Sequence, residues 1–278
     1  MNCLQREDHI NLTKRVMQRL KGKVALVTGA SRGVGKGIAL ELINAGATVY
    51  ITGRSVEDMK YVSGQGTAFE CDHRKDEQVE SVFQKIAKEQ GRLDLLVNNV
   101  WGGYENMMEK GEFTWSRPFW QQPLWRWDSM FQAGVRAHYA ASQLAARMMI
   151  TQRSGLIVNI SFWAAQKYIG NVAYGVSKAA TDKLTHDMAH ELRQYNVAVI
   201  SLYPGLVRTE KVLQAAEWLD LSNSESPQFI GRAIEALATD PHVMEKTGKV
   251  LVAASLAQEY GFTDIDGKIP KPLTINDL

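Results

Sequence analysis

The chain has 278 residues, enough for one large domain with a substantial core. Its 45% hydrophobic and 22% charged content are those of an ordinary soluble protein, and 32 basic against 30 acidic side chains exclude a global pull towards nucleic acid. No apolar stretch reaches bilayer-spanning length, and two cysteines, Cys3 and Cys71, exclude a disulfide framework, so a cytoplasmic location without an integral membrane segment is expected.

Residues 1–20 stand outside the pattern that follows and are expected to form an N-terminal extension to a domain spanning 21–278. They have no continuous apolar core of the kind a secretory signal carries. A basic amphipathic helix using Ile10, Val16, Met17 and Leu20 could lie on a membrane surface. A loosely packed extension is the favoured expectation, and Met17 is an alternative start of translation.

An apolar, β-branched run over 23–28 reads as a buried strand, and Gly29, Gly33 and Gly35 turn it into a helix over 34–45. Glycines let backbone approach a pyrophosphate, and the helix start offers free N–H groups. The spacing is Gly-x-x-x-Gly-x-Gly, which by itself is equally a plain strand-to-helix turn. Strands are expected at 47–52, 67–71, 94–98, 155–161, 197–203 and 249–253, with helices at 75–90, 124–152 and 173–195. That alternation predicts a single-domain α/β fold: a doubly wound parallel sheet of about seven strands with helices on both faces. Ligand should sit beyond the carboxyl ends of the strands, where strand order reverses.

Two further features carry chemistry. Between Asn99 and Trp127 runs a connection rich in aromatics, including Trp101, Trp115, Phe119, Trp120 and Trp125. With Phe162, Trp163 and Tyr168 these are either walls of a pocket for a bulky apolar substrate or plain packing and interface residues; Trp101, Phe162, Trp163 and Tyr168 are the pocket candidates. Leu206 to Pro227, with Trp218, is expected to be a lid. Tyr174 and Lys178 then lie one helical turn apart, thirteen and seventeen residues after Ser161. An ammonium there is expected to draw the phenol towards neutrality and make it a proton donor and acceptor. His186-Asp187-x-x-His190 has the outline of a zinc motif, but no third ligand is evident and no metal is expected.

Together, Thr28-Gly29-x-x-x-Gly33-x-Gly35, Asn98-Asn99-Val100-Trp101-Gly102, Ser161, Tyr174, Lys178 and Pro204-Gly205-x-x-x-Thr209 resemble the short-chain dehydrogenase/reductase family over roughly residues 20–253. The resemblance implies a Rossmann-type fold, a nicotinamide cofactor and catalysis by Ser161, Tyr174 and Lys178 on a small carbonyl or alcohol. It places Gly29, Ser31, Arg32, Gly33, Val34, Gly35, Arg54, Asp72, Asn98, Val100, Tyr174, Lys178, Pro204, Gly205, Val207 and Thr209 around that cofactor. Asp72 is an adenine contact or a cap for the next helix. The resemblance also implies a homodimer or homotetramer through the helices at 124–152 and 173–195, whose small faces include Ala140-Ala141 and Ala179-Ala180.

One departure stands out. The family places an asparagine seven residues after a tryptophan, where it helps hold a water linked to the lysine; counting from Trp127 reaches Gly134. A backbone carbonyl, another water or Gln132 are the available substitutes. The second strand ends Thr52-Gly53-Arg54, without the carboxylate that holds an NAD ribose. Arg32 and Arg54 there are either a clamp for a 2′-phosphate, giving NADPH (NADP) preference over NAD, or solvated surface charges. The leading expectation is an NADPH-dependent carbonyl reductase; the alternative is a catalytically weak NADP(H)-binding regulator of the same fold.

Overall fold

The computed structural model describes residues 18–278 apart from Ser63, Glu105, Asn106 and Lys110. Ile10, Val16 and Met17 of the expected amphipathic stripe therefore lie outside the described residues. Its last member, Leu20, is buried, and its N–H donates to Ala45 O at 2.8 Å.

The strands run in chain order β1 (Val24–Val27), β2 (Thr48–Gly53), β3 (Gly66–Glu70), β4 (Leu95–Asn98), a small hairpin of β5 (Met108–Glu109) and β6 (Glu112–Phe113), β7 (Gly155–Ile160), β8 (Val197–Tyr203) and β9 (Val250–Val252). The hairpin is antiparallel and separate. The other seven form one parallel sheet in the order β3-β2-β1-β4-β7-β8-β9. Apart from the edge strand β3, which is only partly buried, the strands are short, largely apolar runs, and β1, β4 and β8 are buried along their whole length, as a sheet covered on both faces requires.

The covering helices are α1 (Gly33–Asn44), α2 (Asp76–Gln90), α3 (Leu124–Met130), α4 (Ala137–Gln152), α5 (Val172–Leu192), α6 (Glu210–Gln214), α7 (Pro227–Thr239) and α8 (Ala253–Tyr260). Ile38, Ala39 and Leu42 of α1 join Phe229, Ile230 and Ile234 of α7 in the core on one face of the sheet. The helices come close because a Cβ on Gly231 would stand 2.7 Å from Glu41 Cβ. Val79, Val82 and Ile86 of α2, Ala141, Ala145 and Met149 of α4, and Ala189 and Leu192 of α5 cover the other face. Ala141 thus faces the sheet, whereas Ala179 is exposed.

The continuous helix expected over 124–152 is instead two α-helices joined by a π-helical turn, Phe131–Arg136. Strand order reverses between β1 and β4, so the loops after these two strands open a crevice at the carboxyl edge. No helix among the described residues is long and apolar enough to cross a membrane.

Candidate functional site

The turn after β1 is built by glycines that nothing larger could replace. Gly29 and Gly33 have φ of 64° and 57°, in the left-handed region. A Cβ on Gly29 would stand 2.7 Å from Val100 Cα, and one on Gly35 would stand 2.6 Å from Gly29 O. Asn99 locks the turn from β4: its Nδ2 donates to Thr28 O at 3.0 Å and to Gly29 O at 2.9 Å. Asn98, the sequence candidate, faces the interior instead and donates from Nδ2 to Ser142 Oγ and Asn159 Oδ1, each at 2.8 Å.

From this turn a cleft of about 440 Å³ runs outward, lined among others by Ser31, Arg32, Arg54, Asp72, Val100 and Trp101. Arg74, which the sequence reading did not single out, also lines it and donates from Nε to Asp72 Oδ1 at 2.9 Å. That bond, aided by the Arg54 charge, holds the Asp72 carboxyl down to about 2. Asp72 does not cap the following helix; Lys75 occupies the cap position. The cradle fits the dinucleotide implied by the resemblance, because its turn lacks Cβ atoms where a pyrophosphate must approach and its far end carries guanidinium groups.

The stretch 206–227 comes down on the same turn. Thr209 caps α6, and a Cβ on Gly33 would meet its Cγ2 at 3.4 Å. The neighbouring Glu210 accepts the Gly33 N–H on Oε2 at 3.0 Å, so a carboxylate already sits on the anion-binding end of α1. Pro204 is buried, and Val207 belongs to the core with Val34 packed against it. Gly205 N donates to Glu225 Oε2 at 2.8 Å, and burial pushes the Glu225 carboxyl up to about 7. Trp218 is exposed.

Beyond the cleft lie the three residues of the expected catalytic set, all buried. Asn171 caps α5 by accepting the Tyr174 N–H on Oδ1 at 3.0 Å, while its Nδ2 donates to Trp115 O at 2.8 Å. This one side chain fixes the first turn of α5 and ties it to the aromatic connection. Lys178 follows one turn later and donates from Nζ to Ile160 O at 3.2 Å. Ser161 at the end of β7 donates from Oγ to Lys178 O at 3.4 Å rather than to Tyr174.

The Tyr174 ring lies among Trp115, Trp101, Tyr104 and Phe162, with centroids 5.4, 5.8, 5.8 and 6.4 Å away. Tyr104 donates from its hydroxyl to the Tyr174 hydroxyl at 2.7 Å. Trp163 instead packs edge-on against Tyr203 at 5.2 Å, and Tyr168 is exposed. Trp120, Trp125 and Trp127 are exposed as well, so of the tryptophans between 115 and 127 only Trp115 reaches Tyr174. The connection is organised by Arg126, 1% exposed, which donates from Nη2 to Glu109 Oε1 at 2.9 Å and Thr114 Oγ1 at 2.7 Å.

The electrostatics correct the sequence reading. The Lys178 ammonium was expected to draw the Tyr174 phenol towards neutrality, but burial raises it well above its ordinary value, reinforced by Tyr104 and Tyr203. Lys178 is itself lowered to about 8 by burial, and its Nζ stands 5.9 Å from the Tyr174 ring centre, so desolvation wins. His138 is lowered to about 3 by burial and the nearby Lys178 charge; its neutral ring donates from Nε2 to Val100 O at 3.1 Å. Gln132 is exposed and does not take the asparagine's place. His186 is exposed, and Asp187 pairs with Lys183 at 2.6 Å; no group of three metal-ligating side chains gathers among the described residues.

Of the residues the sequence reading missed, Asn171 had a signal: an amide three positions before Tyr174, at a helix start. Tyr104, Arg74, Arg126 and Glu210 had none that separates them from ordinary surface residues.

Known proteins share this chain's sequence pattern and fold. The family model for short chain dehydrogenase matches residues 23–220. Dehydrogenase/reductase SDR family member 1 of Mus musculus is 42% identical over 270 residues, covering 90% of this chain and 85% of that protein. A short-chain type dehydrogenase/reductase from Mycobacterium marinum superposes with a TM-score of 0.72 at 28% identity, over 85% of this chain and 95% of that one. A 7 alpha-hydroxysteroid dehydrogenase complexed with NADH and 7-oxo glycochenodeoxycholic acid superposes with a TM-score of 0.71 at 26% identity, over 86% and 95%.

Proposed function

The chain belongs to the short-chain dehydrogenase/reductase family of oxidoreductases, and from that premise we propose that it interconverts a bulky apolar ketone or aldehyde and its alcohol with NADPH, using Tyr174 as acid and base. The observation that carries this reading is the burial of Tyr174 and Lys178 together, inside an aromatic enclosure next to the glycine turn.

The cofactor, when bound, supplies or accepts the hydride. The chain's own residues handle the proton. In reduction the Tyr174 O–H bond breaks and the proton passes to the substrate oxygen; in oxidation it returns. The Lys178 ammonium offsets the phenolate that remains. Ser161 Oγ gives up its bond to Lys178 O and turns to hold the substrate oxygen, a small change because the present bond is long at 3.4 Å. Trp101, Trp115 and Phe162 exclude water and favour an apolar substrate.

Support for NADPH comes from the guanidinium groups of Arg32 and Arg54 on the cleft and from Gly53 at the end of β2. The related hydroxysteroid dehydrogenase was solved with NADH, so the fold alone does not set the choice. A homodimer or homotetramer remains part of the proposal, to be read by analytical ultracentrifugation. The decisive experiment is a panel of ketones, aldehydes and alcohols with NADPH, NADH and their oxidised forms. Turnover of apolar carbonyls with NADPH is expected; silence of the whole panel in both directions sinks the reading. A second reading, an NADP(H)-binding regulator with little turnover, draws on Ser161 donating to Lys178 O and not to Tyr174, and such silence combined with tight NADPH binding would favour it.

A further inference from the structure

Lys178 is 6% exposed, and a buried ammonium must find partners for its charge. One N–H goes to Ile160 O. Charged or titratable groups come near from its own helix and from α4, β8 and the aromatic connection. Asp182, one turn further along α5, favours the charged form, but its carboxylate already accepts from Ser201 Oγ at 2.6 Å and from the Tyr203 hydroxyl. His138 from α4 is neutral. Tyr174 shares the helix face, with Tyr104 and Tyr203 behind it. The remaining side is covered by the Trp101 indole, whose centre lies 4.1 Å from Lys178 Nζ. At that distance, out of water, the negative face of an indole attracts a cation.

Beside that attraction, packing and no hydrogen bond holds the indole there. Its N–H is buried and has no acceptor among the described residues. Tyr174 meets it edge to face at 5.8 Å. On the opposite side lies Gly134, buried in the π-helical turn, where a Cβ would stand 2.7 Å from Trp101 Cζ3. Gly134 has no positive φ, so the backbone does not demand glycine there. A helical glycine is less favourable than alanine. The indole supplies the reason for it: any side chain at 134 would push the ring off Lys178.

We propose that Trp101 is a positioning residue of the proton-transfer site, its indole face holding the Lys178 ammonium beside Tyr174, and that Gly134 is the opening which admits that ring. The proposal rests on the function proposed above. It replaces an amide-and-water arrangement at this point of the fold by direct contact between a cation and a ring.

Two readouts on the full chain test it. The first needs no turnover: intrinsic tryptophan emission is followed against pH. The intact protein should show a transition centred near pH 8, as the charge over Trp101 is lost. The same transition should vanish in Trp101→Phe, which removes the reporter, and in Lys178→Met, which removes the charge. Its persistence unchanged in Trp101→Phe overturns the contact.

The second readout is the pH dependence of kcat/KM for reduction. Trp101→Leu, which removes the ring's field, should move the high-pH limb down by about one unit. Trp101→Phe, which keeps an aromatic face, should largely restore it. Gly134→Ala should behave like Trp101→Leu, while the double variant should be no worse than Trp101→Leu alone. Equal damage from Gly134→Ala with and without the indole, or a limb that no variant moves, overturns the proposal. Should the intact enzyme turn nothing over, the proposed function fails, and the emission titration still decides the contact.

Discussion

The Tyr104 hydroxyl donates to the Tyr174 hydroxyl at 2.7 Å, across seventy residues of sequence. In the resting protein the oxygen of the proposed acid therefore accepts an internal hydrogen bond, while its own O–H is left to an incoming carbonyl. Tyr104→Phe should lower kcat by no more than about tenfold, because it removes one donor to the phenolate that forms and not the proton source. Tyr174→Phe should lower kcat by about 10²–10⁴-fold without altering NADPH affinity. Steady-state kinetics and a cofactor fluorescence titration check both. A Tyr104→Phe variant as inactive as Tyr174→Phe would move the acid function onto the pair.

Burial of Lys178 gives a stability prediction with a definite sign. Its folded value is depressed to about 8, so between pH 8 and about 10.4 the unfolded chain binds more protons than the folded one. Stability in that window rises with pH through this group. Lys178→Met, lacking the buried charge, should be more stable than the parent at pH 7, and the gap should narrow as pH climbs from 8 to 10. Calorimetric Tm of both proteins measures it; a gap independent of pH would contradict the burial.

Choice between the two nicotinamide cofactors should rest on Arg54. A charge-assisted hydrogen bond to a phosphate is worth about 1.5–3 kcal/mol, or roughly 10–100-fold. Arg54→Asp should lose that much kcat/KM with NADPH and hold or gain with NADH, since a carboxylate there suits a free ribose hydroxyl. Equal losses with both cofactors would show that Arg54 supports the cleft instead of reading the phosphate.

Glu210 occupies the Gly33 N–H that a pyrophosphate would use. Removing its charge should tighten binding of the dinucleotide by about 2–5-fold, the size of an anion's interaction with a helix start. Isothermal titration of Glu210→Gln with NADP shows the effect, and weaker binding would assign Glu210 a supporting role.

The sheet and the Tyr174–Lys178 pair were legible because each is written in short-range spacing: apolar runs between glycines, and two side chains four residues apart. Strand limits fell within a residue or two for that reason. Arg126 was not legible, since a cation reads as surface until Thr114 and Glu109 are known to surround it. Asn98 and Asn99 show the limit of local reading. The two are adjacent and chemically identical, yet only β4's pleat decides which one meets the glycine turn and which the interior. Lys178 near Tyr174 was read correctly in place and wrongly in electrostatic effect, because desolvation depends on the whole enclosure.

The π-helical turn at Phe131–Arg136 sets the angular offset between two halves of one long rod. Trimming a single residue from it would wind it back to regular α and leave α3, with Trp127, nearly in phase with Ala141 and Ala145, because the wider turn absorbs one extra residue. A one-residue deletion there should therefore be milder than one inside α4, which would rotate everything on one side of the cut by about 100°.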